Sequence, residues 1–204
     1  MLRRSWRLSG FVLAGGESRR MGRPKALLEL GGQTMLERQL GLLRGVCRSV
    51  AVVGAPQGLP ALGVPVWADE LPGRGPLGGI YTGLKRSRTE YNLCLGCDLP
   101  FMEARFLQFL ARLAIAEQAD VTIPQTPDGR LQPLAAVYRR RALPAIRARL
   151  DTDENQTSGF FHRVRCRVVA WREIVHGRFT PRIFVNMNTP ADYEMARRIL
   201  NCEG

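Results

Sequence analysis

Histidine is scarce in this chain of 204 residues, which has two histidines and five scattered cysteines. His162 and His176 share no motif, so we do not expect a histidine-based catalytic triad or metal site. An odd number of widely spaced cysteines does not fit a disulfide framework. Cys94 and Cys97 have the C-x-x-C spacing, but residues three apart on a predicted strand point to opposite faces. We therefore expect buried free thiols rather than a zinc site.

Long hydrophobic runs and acidic residues are also in short supply. No apolar run approaches the length of a membrane span, and the apolar segment near the arginine-rich N-terminus is too short for a signal peptide. We therefore expect a cytoplasmic protein with no membrane partner. Lys and Arg number 30 against 18 Asp and Glu, a formal net charge of +12. The cations are spread out and rarely interleaved with aromatics, and a phosphate-rich small substrate accounts for their local clusters as well as nucleic acid does. We expect no nucleic-acid partner.

Apolar strand-like runs alternate with helical patterns, which predicts a parallel sheet with crossover helices. The length and a hydrophobic content of 45% fit one compact domain. We predict a Rossmann-like, single-domain α/β fold over residues 10–204, with a mostly parallel sheet and helices on both faces, after an extension over residues 1–9. Strands are predicted near 11–13, 50–53, 64–67, 92–96, 121–124 and 166–171, and helices near 35–44, 78–86, 103–117 and 142–150.

The most informative stretch is F-V-L-A-G-G-E-S-R-R-M-G-R-P-K-A-L-L, which begins at Phe11. An apolar strand stops at Gly15 and Gly16, and a cluster of cations follows that includes Arg20 and Lys25. A strand that leads into a glycine turn with exposed amides and cations can hold an anionic ligand. The glycine spacing matches neither common phosphate-binding fingerprint. The glycines alone therefore leave open an ordinary basic loop.

Two further stretches place an acidic residue beside a turn. Asp69 precedes a loop rich in glycine and proline, which leads into a predicted helix. Asp98 follows a strand in C-D-L-P-F-M, at the strand end where open α/β sheets bind ligands. One carboxylate together with triphosphate oxygens can hold Mg²⁺. From the residues alone, the loop could equally be an ordinary connection, and Asp98 could cap the next helix.

The segment F-V-N-M-N-T-P predicts a strand followed by a helix. Thr189 at the N-cap and Pro190 at the first helical position are typical of a helix start. Asn186 and Asn188 alternate along the predicted strand, which we expect to end near Asp98.

The pattern L-A-G-G-x-S-x-R-M-G-x-x-K-x-L-L resembles the signature loop of the molybdenum cofactor guanylyltransferases. G-P-L-G-G-I, C-D-L-P-F-M and F-x-N-x-N-T-P resemble three further motifs of that family in the same order, and the resemblance covers about residues 10–200. It implies a fold of the nucleotide-diphospho-sugar transferase type. It also implies transfer of GMP from GTP to the terminal phosphate of molybdopterin or molybdenum-loaded molybdopterin, with Mg²⁺ as cofactor and pyrophosphate as product. Proteins that deliver or receive the cofactor are further implied partners.

The resemblance also implies roles for individual residues. The catalytic residues would be Arg20, Lys25 and Asp98, and Asp98 would also be the metal ligand. The residues in contact with the nucleotide would be Leu13, Ala14, Gly15, Gly16, Lys25, Asp69 and Asp98. The residues in contact with the acceptor would be Gln132, Asn186 and Asn188. The family usually has an asparagine after its second strand, where this chain has Gly54, so that side-chain contact is absent. The L-A-G-G spelling favours guanine over cytosine, and we expect Gly15 to leave room beside a purine.

Two alternatives remain open. The first is a related nucleotidyltransferase with another base or acceptor, such as the cytidylyl branch or a sugar-phosphate enzyme. The second is a basic RNA-binding or regulatory protein on the same scaffold, because a fold does not determine function.

Overall fold

The computed structural model describes residues 5–15, 24–54, 62–152 and 156–202. In these ranges the strands are β1 (Ser5–Leu13), β2 (Glu29–Leu30), β3 (Gln33–Thr34), β4 (Cys47–Val53), β5 (Val66–Trp67), β6 (Tyr91–Gly96), β7 (Val121–Pro124), β8 (Ala135–Arg139) and β9 (Cys166–Val169). The α-helices are α1 (Met35–Val46), α2 (Gly75–Arg86), α3 (Ala104–Glu117), α4 (Leu143–Leu150), α5 (Trp171–His176) and α6 (Pro190–Cys202). None of the helices in this described part is long and apolar enough to cross a membrane.

Seven of these strands form one sheet in the order β5-β4-β1-β6-β8-β7-β9. β1 pairs in parallel with β4 and β6, β4 with β5, and β7 with β9, whereas β8 runs antiparallel to β6 and β7. The predicted mostly parallel sheet is therefore confirmed. The small β2–β3 hairpin stands apart and precedes α1.

The two faces of the sheet are covered by different helices, as predicted. Val12 of β1 packs in a buried cluster with residues of α1 and α3, while Phe11 and Leu13 pack in a second cluster with residues of α2 and α4. This alternation follows from the two-residue period of a strand. Cys94 and Cys97 fall in different clusters and are both free thiols, which confirms their assignment as buried cysteines.

Glycines let α2 approach β1 closely. A Cβ on Gly79 would lie 2.9 Å from Cδ2 of Leu13, and a Cβ on Gly83 would lie 2.5 Å from Cζ of Phe11. Larger residues at these positions would push the helix off the sheet. Because Gly79 meets the end of β1 and Gly83 meets a residue further back, the N-terminus of α2 lies at the carboxyl edge of the sheet.

The first strand begins earlier than the sequence indicated. Residues 5–9, predicted as part of an extension, belong to β1, and Leu8 is buried in the core. The polar residues of this segment concealed the strand. The hydroxyl of Ser9 lies 2.8 Å from the hydroxyl of Ser49 on β4, so the two polar groups satisfy each other inside the sheet.

The predicted start of α1 is confirmed at Thr34. The Thr34 hydroxyl accepts a hydrogen bond from the Glu37 amide at 3.2 Å, and the Glu37 carboxylate accepts one from the Thr34 amide at 2.8 Å. This reciprocal pair is a capping box. It fixes the first turn of α1, the helix that contacts the turn after β6.

Candidate active site

The carboxyl ends of β1, β4 and β6 meet at one edge of the sheet. Leu13 aligns with Val53 on one side and with Gly96 on the other. Gly15 follows β1 by two residues, and Asp98 follows β6 by two residues. Open α/β sheets bind their ligands at such an edge, so the structure brings the predicted loops to the expected place.

The Asp98 side chain is half-buried in the turn after β6. Burial raises the pKa of its carboxyl, while the positive charge of Lys25 and a backbone amide act in the opposite direction. A Cβ on Gly96 would lie 2.8 Å from Oδ1 of Asp98, so only glycine leaves room for the carboxylate in this position. The helix-capping alternative is wrong, because Glu103 occupies the N-cap of α3 and makes no side-chain cap bond.

Lys25 and Asn188 are in contact although they are 163 residues apart in the sequence. Nζ of Lys25 donates a hydrogen bond to Oδ1 of Asn188 at 2.6 Å. Lys25 opens a short 3-10 turn, Lys25–Leu27, and its charge also acts on Asp98. The structure thus gathers Lys25, Asp98 and Asn188 into one polar group at the sheet edge.

The strand predicted for Asn186 and Asn188 is wrong. A 3-10 turn, Pro181–Phe184, precedes an irregular segment, and α6 begins at Pro190. Oδ2 of Asp192 accepts hydrogen bonds from the amides of Asn188 and Thr189, at 2.9 and 2.8 Å. These bonds bend the segment into the helix start, so its amides are directed to the cap instead of a strand ladder.

The predicted approach of this segment to Asp98 does occur. The Met187 amide donates to the Asp98 backbone carbonyl at 2.8 Å. Asn186 is half-buried and Asn188 is exposed on either side of that contact.

Asp69 is held by α2. Its Oδ1 accepts hydrogen bonds from the Thr82 hydroxyl at 2.9 Å and from the Leu71 amide at 3.1 Å. Gly78, in the first turn of α2, lets the loop pack against the helix, since a Cβ there would lie 3.1 Å from the Leu71 carbonyl oxygen. The loop predicted to lie beside a nucleotide therefore sits at the N-terminus of α2, although helix formation begins at Gly75 rather than Gly78.

Gly15 lies against Gly54, and this contact gives a structural reason for the glycine. A Cβ on Gly15 would lie 2.6 Å from the carbonyl oxygen of Gly54. The missing methyl thus makes room for the backbone after β4. Gly54 has φ +66°, a conformation that favours glycine, and donates its amide to the Trp67 carbonyl at 2.9 Å.

The remaining predicted nucleotide residues differ in what the structure reveals. Gly16 and Arg20 lie outside the described residues. The side chains of Leu13 and Ala14 are buried, and the Ala14 amide donates to the Val53 carbonyl at 3.0 Å. These two residues would therefore meet a ligand through their backbone.

Gln132 lies at the same edge of the sheet, beyond β6. It precedes β8, which is antiparallel to β6, and β8 aligns Ala135 with Leu95. The Gly96 amide donates to the Leu134 carbonyl at 2.8 Å. The start of β8 is thereby tied to the end of β6, and the half-buried Gln132 is three residues away along the chain.

Two residues of α1 that sequence reasoning assigned no role contact the turn after Asp98. Nε of Arg38 donates to the Pro100 carbonyl at 2.8 Å, and Nε2 of Gln39 donates to the Leu99 carbonyl at 2.7 Å. The signal was present in the sequence, because Gln39 is a polar residue within the apolar stripe of an amphipathic helix. Leu36 and Leu40 are its buried neighbours on that stripe.

The oxygen ligands at this edge suit a hard cation that is also coordinated by phosphate oxygens of a bound nucleotide. Asp98 offers a carboxylate, whereas Oδ1 of Asn188 accepts a hydrogen bond from the Lys25 ammonium group. Within the described ranges no three or more His, Cys, Asp or Glu residues group closely enough to hold a metal by themselves. Mg²⁺ commonly binds through one or two carboxylates, substrate phosphates and water. The residues present therefore fit Mg²⁺ bound together with a nucleotide.

The fold and this site define an open α/β domain whose carboxyl edge is equipped for an anionic ligand. A family model described as the MobA-like NTP transferase domain matches residues 10–165. The chain therefore belongs to the family of MobA-like NTP transferase domains. This membership confirms the nucleotidyltransferase class predicted from the signature stretch.

Similar proteins agree with that assignment. The chain is 33% identical over 190 residues to a probable molybdenum cofactor guanylyltransferase of Carboxydothermus hydrogenoformans, covering 93% of this chain and 95% of the relative. It is 47% identical over 138 residues to a protein of the same description from Mycobacterium tuberculosis, covering 65% and 68%. The crystal structure of molybdopterin-guanine dinucleotide biosynthesis protein A from Archaeoglobus fulgidus matches with a TM-score of 0.82 at 21% identity, covering 95% of this chain and 99% of that one.

Proposed function

We propose that this protein is a molybdenum cofactor guanylyltransferase. It transfers GMP from GTP to the terminal phosphate of molybdopterin, or of its molybdenum-loaded form, and releases pyrophosphate. The observation that carries the proposal is the meeting of Lys25, Asp98 and Asn188 at the carboxyl edge of the sheet. The full-length similarity to a protein described as a guanylyltransferase supports the choice of reaction.

In the proposed reaction, an oxygen of the acceptor phosphate attacks the α-phosphorus of GTP. A new phosphorus–oxygen bond forms, the bond from the α-phosphorus to the bridging oxygen breaks, and pyrophosphate leaves with the electron pair. Both reactants are anionic, so alignment and charge neutralisation supply most of the catalysis. No covalent intermediate on the protein is required.

The residues of the site have distinct parts in this proposal. Lys25 neutralises charge on the triphosphate, and Asn188 holds the ammonium group in place before GTP arrives. Asp98 would hold Mg²⁺ through its carboxylate. A bound Mg²⁺ supplies Lewis-acid polarisation of phosphate oxygens. Arg20 is proposed to contact the leaving pyrophosphate, and Gln132 and Asn186 the acceptor.

Asp69 and the backbone at Gly15 form the nucleotide side of the proposed site. Oδ1 of Asp69 accepts hydrogen bonds from the Thr82 hydroxyl and the Leu71 amide, and Asp69 is proposed to contact the base or the ribose. A site that pairs with the polar edge of guanine leaves those groups unpaired when another base binds. This accounts for the proposed preference for GTP.

The test is a nucleotide panel of GTP, CTP and ATP with molybdopterin and Mg²⁺, with pyrophosphate release as the readout. We expect kcat/KM for GTP to exceed that for CTP and ATP by at least about tenfold. Equal turnover of CTP would replace the guanylyl assignment with the cytidylyl alternative. Absence of pyrophosphate release with every nucleotide would favour a binding protein on this scaffold.

A further inference from the structure

Three consecutive backbone carbonyls in the turn after β6 accept hydrogen bonds from other segments of the chain. The backbone carbonyls of Asp98, Leu99 and Pro100 accept, in that order, from the Met187 amide at 2.8 Å, Nε2 of Gln39 at 2.7 Å and Nε of Arg38 at 2.8 Å. Two of the three donors are adjacent side chains on α1. We call Arg38 and Gln39 the α1 clamp.

The α1 clamp rests on a rigid support. Leu36, Leu40 and Leu43 of the same helix are fully buried against the sheet, and the capping box at Thr34 fixes the first turn. The Met35 amide, at the first helical position, also donates to the Leu28 carbonyl at 2.8 Å. The same helix thus connects the segment that follows Lys25 with the turn that follows β6.

Gln39 occupies its position at a cost to stability. Its side chain is fully buried, and its Oε1 has no hydrogen-bond partner among the described residues. A buried acceptor without a partner destabilises a protein. An apolar residue of similar volume would pack in the same stripe without that penalty, and the Leu99 carbonyl would keep its bond from the Met102 amide at 3.3 Å. Departures from local rules of this kind concentrate at functional sites.

We propose that Arg38 and Gln39 are positioning residues, which fix the turn so that the Asp98 carboxylate is aimed at a divalent cation bound with the nucleotide phosphates. The inference rests on the metal-binding role proposed for Asp98. The carboxylate packs over Gly96, where an added Cβ would lie 2.8 Å from Oδ1, so the glycine leaves the space that this orientation needs. Groups that orient a ligating side chain affect metal affinity even though they do not touch the metal.

The experiment compares Gln39→Met and Arg38→Met with Arg44→Met as a matched control. Arg44 lies on the same helix and donates one hydrogen bond to a loop carbonyl, that of Leu62, at 2.7 Å. Mn²⁺ binding to each protein in the presence of GTP is measured by the loss of the electron paramagnetic resonance signal of free Mn²⁺, and thermal unfolding is recorded in parallel. We expect the two clamp variants to bind Mn²⁺ about tenfold more weakly. Arg44→Met should match the wild type, and Gln39→Met should melt no lower than Arg44→Met.

Unchanged Mn²⁺ affinity in both clamp variants, or an equal loss in Arg44→Met, would overturn the proposal. If Gln39→Met fails to fold, the stability argument is wrong and Arg38→Met decides the positioning role, since Arg38 is only half-buried. Asp98→Asn separates this result from the proposed function. Wild-type binding that depends on Asp98, without GMP transfer, would contradict the guanylyltransferase proposal alone, whereas Mn²⁺ binding that does not depend on Asp98 would overturn the clamp.

Discussion

Replacing Gly96 with alanine tests how the Asp98 carboxylate is placed. The new Cβ would lie 2.8 Å from Oδ1 of Asp98 and 3.2 Å from Cβ of Leu134. Ordinary contact requires about 3.4 Å, so the carboxylate must move by roughly half an ångström. A displacement of 1 Å at a reacting centre costs about a hundredfold, which makes about tenfold a reasonable expectation for half that distance.

The fold should tolerate the change. The nearest clash involves the end of a side chain that can rotate, and the overpacking against Leu134 is offset in part because alanine has lower conformational entropy than glycine in the unfolded chain. We expect the free energy of unfolding of Gly96→Ala to lie within about 1 kcal/mol of the wild-type value.

The assay for this variant is pyrophosphate release from GTP as a function of Mg²⁺ concentration, combined with urea unfolding. Gly41→Ala is the control, because a Cβ on Gly41 meets nothing within 4 Å. The control should keep wild-type turnover and gain about 0.5–1 kcal/mol of stability from the higher helix propensity of alanine. Wild-type turnover of Gly96→Ala at every Mg²⁺ concentration would refute the reasoning, and so would the loss of its folded state.

Two further predictions concern the loop glycine and the cap of α6. Gly15→Ala forces the backbone apart at Gly54, so KM should rise by about tenfold for GTP and for CTP alike; a loss confined to GTP would show instead that the added methyl crowds the purine. Hydrogen bonds from the Asn188 amide, the Thr189 hydroxyl and the Thr189 amide hold the pKa of Asp192 below its usual range, so its stabilisation is complete above the unfolded-state pKa and is lost as the pH falls through the folded-state pKa. Asp192→Asn should therefore cost about 1 kcal/mol in urea unfolding at pH 7, and the difference from wild type should begin to shrink near pH 4, about the unfolded-state pKa, and vanish only below the folded-state pKa; a difference that is the same at pH 7 and in acid below the folded-state pKa would contradict the assignment.

Features encoded by neighbouring residues could be predicted from the sequence. The start of α1 at Thr34 depends on Glu37 three residues later, and the pattern of apolar residues gives the alternation of Phe11 and Val12 between the two faces. The sheet and its helices followed from such local patterns. The expected closeness of the Asn188 segment to Asp98 was based on a predicted strand that does not form, and the segment reaches Asp98 instead through the bond from the Met187 amide to the Asp98 carbonyl.

The features that were missed depend on contacts between distant segments. The early start of β1 was missed because Ser9 is polar. Its hydroxyl pairs inside the sheet with the hydroxyl of Ser49, forty residues away, and the sequence does not show that pairing. The close approach of Gly15 to Gly54 is a tertiary contact, so a sequence motif shows the glycine without showing its neighbour. Gln39 could have been noticed as a polar residue in an apolar stripe, but its partner could not have been identified.

The central claim is that the carboxyl edge of the sheet transfers GMP from GTP to an acceptor phosphate. The most direct measurement is the fate of GTP labelled at the α-phosphorus, in a parallel reaction with GTP labelled at the γ-phosphorus, when each is mixed with molybdopterin, Mg²⁺ and the enzyme. We expect the α label to appear in the acceptor product and the γ label in pyrophosphate, and we expect Asp98→Asn to lower both by at least about a hundredfold with the fold intact. Transfer of the γ label to the acceptor, or undiminished transfer by Asp98→Asn, would contradict the account.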